Sequence, residues 1–321
     1  MIVVTGALGF IGSALIKQLN MMGHFDILAV DDFYQDRKNP NIEHKKIREF
    51  IHRDIFIPWF ERIYSQIDFV FHLGARTDTA EMDTAIFDKL NVQYSKDIWR
   101  LCTLHDIPLV YASSAATYGI GDMGFDDKHS IVKSLSPLNP YGISKNDFDI
   151  WALNQKKKPP FWAGIKFFNV YGPNEYHKSR MASVILHTVR QIKKTGAMKL
   201  FRSHNKDYKD GEQKRDFIYI KDVVAVLYFM MEKMPKSGLY NLGTGEARTF
   251  YDLASNTFKA MGLEPKISYI DTPIDIRDKY QYYTQANITK LKKAGYNQAF
   301  TSLEDGIDDY VKNYLLIEKI W

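Results

Sequence analysis

The first dozen residues constrain the fold of this chain more than any other stretch. Residues 2–5 are an apolar, β-branched run typical of a buried strand, and Gly6, Gly9 and Gly12 follow at GxxGxxG spacing before a helical pattern begins. Gly6 allows a sharp turn, Gly9 lets a pyrophosphate approach the backbone, and Gly12 lets the helix pack on the strand. The free N–H groups of the first helical turn then face an anion. The stretch predicts the phosphate-binding loop of a dinucleotide site.

A second strand supports this prediction. Residues 27–30 are apolar and lead into Asp31 and Asp32, at the distance from the glycine loop where an acidic residue commonly binds the adenosine ribose of NAD. Lys38 and Arg53 follow, and such cations are able to hold the 2′-phosphate of NADP. These residues therefore leave both NAD and NADP open as the cofactor.

The composition is that of an ordinary globular protein. Of 321 residues, 45% are hydrophobic and 25% charged, and the apolar runs are shorter than the roughly 18 residues that cross a bilayer. The net charge of +5 comes from basic residues scattered among 38 acidic ones, so we expect an anionic small molecule and no nucleic acid as partner. Cys102 is the single cysteine, and the glycine loop begins too early to leave room for a signal peptide. We expect a cytoplasmic protein with no membrane partner.

Two later strands end in residues suited to a ligand site. The fourth predicted strand, within residues 68–75, runs into Gly74 and Ala75, whose small side chains leave space for a cofactor over the strand end. The fifth, residues 108–112, is followed by hydroxyl side chains that include Ser114. The carboxyl ends of parallel strands are where open α/β sheets bind ligands.

A tyrosine and a lysine then stand four residues apart on a predicted helix. Tyr141 and Lys145 therefore share one helix face. A free tyrosine has a pKa of about 10, and a neighbouring ammonium stabilises the phenolate and lowers that pKa. The pair predicts a proton donor or acceptor that works at neutral pH.

The chain divides into a cofactor part and a substrate part. A sixth strand, residues 161–168, completes the alternating pattern, and the dense polar side chains of residues 169–187 indicate a substrate loop. Arg215, on a later strand, could hold a diphosphate. We predict an α/β fold with a doubly wound parallel Rossmann sheet in residues 1–168. A smaller C-terminal α/β substrate domain is predicted in residues 169–321, some segments of which return to the first domain.

Longer stretches carry a family resemblance. The glycine loop, the serine strand end and the YxxxK pair together resemble the extended short-chain dehydrogenase/reductases that act on nucleotide sugars. Further stretches closely resemble the ADP-L-glycero-D-manno-heptose 6-epimerase family: residues 111–119 (YASSAATYG), 168–173 (FNVYGP) with His177 and Lys178, 181–184 (MASV) and 280–286 (YQYYTQA). The resemblance extends over nearly the whole chain.

This resemblance implies an epimerisation without net redox change, in the synthesis of lipopolysaccharide core heptose. A hydride leaves C-6″ of the ADP-heptose for NADP and returns to the opposite face of a transient 6″-ketone. Tyr141 and Lys178 are expected to act as acid or base in the two orientations of that ketone. Lys145 would tune Tyr141, and Ser114 would hydrogen-bond the reacting oxygen. The resemblance also implies a homo-oligomer.

The resemblance and the glycine loop together assign the expected contacts, with no metal ligand among them. The predicted cofactor-binding residues are Gly6, Gly9, Phe10, Ile11, Gly12, Asp31, Asp32, Lys38, Arg53, Leu73, Gly74, Ala75, Arg76, Thr77, Asn91, Lys145, Val170 and Lys178. The predicted substrate-binding residues are Ser114, Asn169, Arg180, His187, Phe201, Arg202, Ser203, His204, Arg215 and Tyr280.

The sequence departs from the family pattern in three places. Some members carry a serine where this chain has Arg180, and an Asn-Asn pair is common where it has Leu90 and Asn91. Residues 202–204 replace a small acidic segment, in a predicted exposed loop that extends to Lys214 and is longer than usual.

Two alternatives stay open beside the heptose epimerase. Another nucleotide-sugar epimerase or dehydratase, such as a UDP-sugar 4-epimerase, would share the fold. A dehydratase would carry carboxylates after the serine strand, and residues 114–118 (SAATY) contain none. The other alternative is a non-catalytic dinucleotide-binding protein, against which the joint presence of Tyr141, Lys145 and Lys178 argues.

Overall fold

The structure is a computed structural model that describes residues 1–34, 36–79, 81–277 and 280–321, with the backbone alone described at residues 36, 275 and 276. The strands are β1 (Ile2–Thr5), β2 (Ile27–Asp31), β3 (Glu49–His52), β4 (Phe69–His72), β5 (Leu109–Ser114), β6 (Trp162–Phe167), β7 (Asn169–Tyr171), β8 (Met198–Phe201), β9 (Lys214–Tyr219), β10 (Gly238–Leu242), β11 (Ala247–Thr249) and β12 (Ile267–Ile270). The α-helices are α1 (Phe10–Met21), α2 (Arg53–Ile63), α3 (Thr84–Phe87), α4 (Tyr94–Leu104), α5 (Pro140–Asn154), α6 (Val184–Thr195), α7 (Ile220–Lys233), α8 (Phe250–Ala260), α9 (Ile274–Arg277), α10 (Thr289–Lys293) and α11 (Leu303–Tyr310). π-Helical turns occupy Asp88–Gln93 and Val311–Leu315, and a 3-10 helix spans Tyr176–Met181.

One parallel sheet dominates the described residues. Its seven strands are ordered β10-β6-β5-β4-β1-β2-β3, and every neighbouring pair runs parallel. β1 and β4 are buried along their whole length, because helices cover both faces of the sheet. From β1 the strands continue in sequence towards one edge of the sheet, and from β4 towards the other edge. The crevice at such a switch point is where open α/β sheets bind ligands. The structure confirms the predicted doubly wound α/β fold.

Two hydrophobic cores lie on opposite faces of this sheet. On one face, apolar residues of α1, α6, α7 and α11 pack against the strands. On the other face, α2, α4 and α5 supply the apolar residues, and their centre is Trp99, which is 1% exposed. Helices on both faces hold the strand ends in fixed register, so the loops that follow the strands share one edge of the sheet.

The structure also shows secondary-structure elements whose presence or pairing the sequence patterns did not locate. β3 lies at the sheet edge with two exposed residues, so it lacks a continuous apolar run. Residues 84–104 are helical, but a π-helical turn separates α3 from α4. β10 comes after residue 168 and still pairs with β6, so the C-terminal part of the chain supplies an edge strand to the main sheet.

The remaining strands form two small sheets, ordered β11-β9-β7 and β12-β8. α6, α8 and β8 share a separate apolar cluster there. Among the helices of the described chain, none combines the length and the apolar character that a membrane span requires.

Candidate functional site

A cavity of about 540 Å³ opens at the carboxyl end of the main sheet. It is lined by loops that follow the first five strands, by α5 and by residues between 167 and 181. The predicted residues in its lining are Gly6, Gly9, Phe10, Ile11, Gly12, Asp31, Lys38, Arg53, Leu73, Gly74, Ala75, Arg76, Thr77, Ser114, Tyr141, Lys145, Val170 and Lys178. The other lining residues were not predicted to belong to the site: Thr5, Val30, Asp78, Ile86, Leu90, Tyr94, Ala112, Ser113, Phe167, Phe168, His177 and Met181.

The glycine loop accepts only glycine at two positions. Gly6 has a φ of +69°, and a Cβ there would lie 2.7 Å from the Cα atom of Gly74. A Cβ on Gly12 would lie 2.1 Å from the carbonyl oxygen of Gly6. In the described chain no side chain caps the start of α1 at Gly9. The N–H groups of this helix terminus therefore suit an anionic ligand.

Two carboxylates and two cations meet at the end of β2. Asp31 accepts hydrogen bonds from the backbone N–H groups of Leu8 (2.9 Å) and Asp32 (2.7 Å). Lys38 Nζ lies 3.6 Å from a carboxylate oxygen of Asp31. Asp32 is outside the cavity lining, but it accepts a hydrogen bond from Arg53 (3.2 Å) and so orients that guanidinium.

The chemistry of the lining fits a nicotinamide dinucleotide. Within the described residues, the Nε atoms of Arg53 and Arg76 are buried without a hydrogen-bond acceptor, and both side chains line the cavity. A buried donor without an acceptor is costly unless a ligand or water supplies one. Together with the glycine loop, these donors can hold the phosphates and riboses of such a cofactor.

Tyr141, Lys145 and Ser114 come together in the same lining. The side chain of Asn139 caps α5, so the helix begins just before Tyr141. Lys145, one turn later, donates a hydrogen bond from Nζ to the carbonyl oxygen of Ala112 on β5 (2.8 Å). The helix start and the strand end therefore place the predicted acid–base groups together.

Burial dominates the acid–base properties of these groups. It lowers the pKa of Lys145 to about 8 and raises the pKa of Tyr141, although hydrogen bonding with Ser114 opposes that rise. The predicted lowering of the Tyr141 pKa by Lys145 is wrong, because desolvation of the phenol is the largest contribution. Tyr141 is therefore in its proton-donating form at neutral pH.

Lys178 lies in the 3-10 helix Tyr176–Met181, within a segment of unusual backbone, residues 174–181, that we call the Lys178 loop. Asn174 has a φ of +77° and Ser179 a φ of +50°, which residues other than glycine rarely adopt. Lys178 Nζ lies 5.1 Å from the centroid of the Phe10 ring. Burial lowers the pKa of Lys178, and the carboxylate of Glu175 opposes this shift. The loop presents a cation that is more readily deprotonated than an ordinary lysine.

Asn41 joins the Lys178 loop to the glycine loop. Its amide nitrogen lies 3.0 Å from the carbonyl oxygens of both Leu8 and Asn174, and 3.2 Å from Nδ1 of His177. The side chain is buried. No local pattern marked Asn41, because its partners lie far away in the sequence.

Asn91 lies behind the lining and not in it. It belongs to the π-helical turn Asp88–Gln93 and is 1% exposed. Its amide accepts a hydrogen bond from the Arg76 N–H (2.8 Å) and donates to the Arg76 carbonyl (3.0 Å) and to Ser144 Oγ (2.9 Å). Asn91 thus fixes the backbone of Arg76, which lines the cavity, and its predicted direct contact with the cofactor stays a prediction.

Three predicted substrate residues form a second cluster outside the cavity lining. The guanidinium of Arg215 lies 5.6 Å from the ring centroid of Phe250 and 5.4 Å from that of Tyr280. The rings of Phe201 and Tyr280 lie 6.4 Å apart in an edge contact. Arg215 also donates to the backbone carbonyl of Gln281. A buried arginine among aromatic rings is suited to an anionic group that carries a flat ring.

Arg180, His187 and Asn169 also lie outside the cavity lining. Arg180 is exposed and donates to Asp78 (3.1 Å), which does line the cavity. The Nε2 atom of His187 lies 3.4 Å from the Arg180 carbonyl oxygen, and Asn169 is exposed on β7. Arg180 and His187 are therefore adjacent at the rim, next to the Lys178 loop.

The segment 202–204 starts the loop that follows β8. Arg202 is exposed, the Ser203 N–H donates to Asp210 (2.9 Å), and His204 Nε2 accepts from the Thr272 N–H (3.2 Å). The first contact lies within the loop, and the second ties the loop to the turn after β12.

The site contains no recognisable metal centre. Across the described ranges, no group of three or more His, Cys, Asp or Glu side chains is arranged to hold a metal ion. Of the lining residues that were missed, His177 and Met181 belong to the quoted HK and MASV stretches. Others, such as Ile86 and Tyr94, carry no signal beyond helical periodicity.

Comparison with known proteins places the chain in a family. Residues 2–243 match the NAD dependent epimerase/dehydratase family. A protein of Fusobacterium nucleatum subsp. nucleatum named ADP-L-glycero-D-manno-heptose-6-epimerase is 45% identical over 99% of each chain, and one of Nitratidesulfovibrio vulgaris with the same name is 44% identical over 98% of each. The crystal structure of the Helicobacter pylori ADP-L-glycero-D-manno-heptose-6-epimerase superimposes with a TM-score of 0.80 at 28% identity, covering 97% of this chain and 95% of that one. This chain belongs to the NAD-dependent epimerase/dehydratase family of nucleotide-binding α/β enzymes.

Proposed function

We propose that this chain interconverts ADP-D-glycero-β-D-manno-heptose and ADP-L-glycero-β-D-manno-heptose with bound NADP. The observation that carries the proposal is the 45% identity over 99% of both chains to a relative named for this epimerase activity. The cavity supports it, because two proton-carrying groups from distant parts of the chain, Tyr141 and Lys178, line it together with the glycine loop.

The bound cofactor would accept a hydride from C-6″ and return it to the opposite face of the sugar ketone, so that no net oxidation results. Each half of the reaction also moves a proton, off the C-6″ hydroxyl and then back onto the oxygen. Tyr141, whose pKa is raised by burial, is suited to donate a proton. Lys178, whose pKa is lowered by burial, is suited to accept one. Ser114 would hydrogen-bond the reacting oxygen, and Lys145 would stabilise Tyr141 when it is deprotonated.

We infer NADP rather than NAD from the cations at the end of β2. Lys38 and Arg53 both line the cavity, and Arg53 Nε is buried without an acceptor in the described chain. A 2′-phosphate would supply that acceptor.

The ADP group would occupy the second cluster. Arg215 would hold the diphosphate, and Phe201 and Tyr280 would contact the nucleotide. Asn169, Arg180 and His187 would contact the sugar side, with Arg202, Ser203 and His204 closing over the nucleotide. A cytoplasmic homo-oligomer that serves lipopolysaccharide core heptose synthesis is part of the same proposal.

The direct test is proton NMR of the purified protein with ADP-D-glycero-β-D-manno-heptose, following the H-6″ signal without added cofactor. Conversion to the L-glycero epimer is the expected result. Absence of conversion after NADP is added refutes the proposed substrate, and UDP-sugars are then the next substrates to assay.

Two variants test the proton carriers. We expect Tyr141→Phe and Lys178→Met each to lower kcat by at least about 100-fold, since each removes a general acid or base. Tyr251→Phe and Lys194→Met change exposed residues of the same kinds and serve as matched controls. Near-normal turnover in both site variants contradicts the two-residue assignment.

Cofactor preference is tested by Lys38→Ala and Arg53→Ala. Each should weaken NADP binding by about tenfold or more while NAD binding changes little, because one charge-assisted contact to the 2′-phosphate is lost. Arg100→Ala, at an exposed residue paired with Asp97, is the control. An unchanged NADP-to-NAD ratio in both site variants contradicts the inference.

A further inference from the structure

A buried carboxylate continues the catalytic face of α5. Asp149 lies four residues after Lys145 and eight after Tyr141, so the three share one helix face. Its side chain is fully buried. One carboxylate oxygen accepts a hydrogen bond from Tyr111 Oη (2.9 Å), and the other accepts from Ser113 Oγ (2.7 Å). Both donors lie on β5, the strand that ends at Ser114.

A buried lysine completes the cluster. Lys166 on β6 is 0% exposed, and its Nζ lies 2.7 Å from Asp149 Oδ2. The same Nζ donates to Thr117 Oγ1 (2.8 Å), whose hydroxyl donates to the Ser114 carbonyl (2.8 Å). The ion pair is thus bonded to the strand end on which Ser114 lies and to the helix that carries Tyr141.

Stability alone does not account for this pair. Burying two charges removes their hydration, and apolar residues of similar size are often as stabilising or more so. Removing one partner, in contrast, leaves an uncompensated charge in the core. Such a pair therefore serves best where geometry has to be fixed.

We propose that Asp149 and Lys166 are positioning residues: their buried ion pair fixes α5 against β5 and so sets the placement of Tyr141, Lys145 and Ser114. This inference rests on the proposed function for the reaction that is assayed. Neither residue lines the cavity, so their effect is transmitted through side chains that do.

The pair also affects the charge of Lys145. Burial lowers the pKa of Lys145, and the Asp149 carboxylate opposes that shift. The other titratable groups around Lys145 or around this carboxylate are Tyr141 on α5, Tyr111 on β5, His72 on β4, Lys166 on β6, Tyr118 and His129. Burial raises the pKa of Tyr118 and lowers that of His129 to about 4, so both are neutral at neutral pH. His72 is neutral because burial lowers its pKa to about 3, and Tyr111 is neutral because burial raises its pKa. Asp149 is therefore the anion whose charge favours the protonated form of Lys145.

Three variants and one control separate this role from general stability. The variants are Asp149→Asn, Lys166→Met and the double substitution. The double substitution removes both charges and leaves no unpaired ion in the core, so it tests the role even if Asp149→Asn does not fold. The control is Asp222→Asn, which removes a half-buried carboxylate that accepts two hydrogen bonds from Thr301, away from the cavity. Two quantities are measured: the pH profile of kcat, and the titration of Lys145 followed by NMR of ¹³C-labelled lysine, with Lys145→Met to assign the signal.

We expect Asp149→Asn to lower kcat by about 10- to 100-fold through misplacement of the reacting groups. The alkaline limb of the pH profile of kcat for Asp149→Asn should move to lower pH by about one unit. Lys145 then lacks the neighbouring Asp149 carboxylate but is still repelled by Lys166, so its pKa falls. The double variant should show a smaller acid shift, and Lys166→Met a shift to higher pH, because Asp149 then acts on Lys145 without the opposing charge of Lys166. Asp222→Asn should keep the parent profile.

Identical pH profiles in all proteins, or an equal shift in Asp222→Asn, overturn the positioning role. The Lys145 titration distinguishes the two proposals, since it needs no substrate. If the parent protein does not epimerise the heptose but the titration moves in the stated order, the proposed function fails and the positioning role stands. If the parent is active and the titration does not move, the positioning role fails alone.

Discussion

Gly12 is the position at which one added methyl group should disturb cofactor binding most. A Cβ there would lie 2.1 Å from the Gly6 carbonyl oxygen. A carbon and an oxygen in contact lie about 3.3 Å apart, so the loop and α1 would have to separate by about 1.2 Å. Gly6 cannot move freely, because its N–H donates to Val30 (2.8 Å) and its carbonyl accepts from the Gly9 N–H (2.9 Å).

The separation should be measurable both in stability and in affinity. We expect Gly12→Ala to lose about 2–4 kcal/mol of unfolding free energy through overpacking and one weakened turn hydrogen bond. For a chain of 321 residues, this lowers Tm by about 3–6 °C. Displacing the α1 terminus also removes a hydrogen bond to a charged pyrophosphate, worth about 1.5–3 kcal/mol, and weakens cofactor binding by about 10- to 150-fold.

The assay is titration calorimetry of NADP binding together with a thermal unfolding curve. Gly306→Ala in α11 is the matched control. A Cβ on Gly306 would lie 2.0 Å from the hydroxyl of Tyr171, and both residues are outside the cavity lining. This control should lower Tm and leave cofactor affinity unchanged. The reasoning is refuted if Gly12→Ala binds NADP as tightly as the parent, or if both variants lose affinity equally.

Three further predictions follow from single residues. Burial lowers the pKa of Lys145 to about 8 from 10.5, so the charged lysine costs about 3 kcal/mol of stability at neutral pH. Lys145→Met should therefore raise Tm, with a gain that disappears as pH rises from 8 to 10.5, and should abolish activity. Lys45→Met, which removes a second lysine with a pKa of about 8, should raise Tm without that loss of activity. Asn41→Ser should lower kcat by about tenfold in the NMR assay, because it disconnects the Lys178 loop from the glycine loop. Ser179→Gly should raise Tm by about 1–2 °C, because glycine adopts its positive φ with less strain.

Features that depend on local spacing were predictable from the sequence. The buried strand before Gly6, the shared face of Tyr141 and Lys145, and the small residues after β4 follow from strand and helix geometry. In the structure these elements lie where the spacing predicts and line one cavity. The resemblance located Lys178, whose position no periodicity marks.

Features that depend on contacts between residues far apart in the sequence were not predictable. Asn41 meets Asn174 over 133 residues, and Asp149 meets Lys166 across a helix and a strand. Such pairs leave no trace in periodicity, because each residue obeys the pattern of its own element. The return of some C-terminal segments to the first domain was predicted, but no pattern indicated that β10 is the segment that pairs with β6.

The sequence by itself determined which chemical groups are present and how they repeat along each strand and helix. The tertiary structure alone decided their protonation and their neighbours. Tyr141 shows the difference: its spacing from Lys145 predicted a lowered pKa, whereas burial in the folded chain raises it. The physical reason is that desolvation depends on every atom packed around a group, and those atoms come from strands and helices far apart in the sequence.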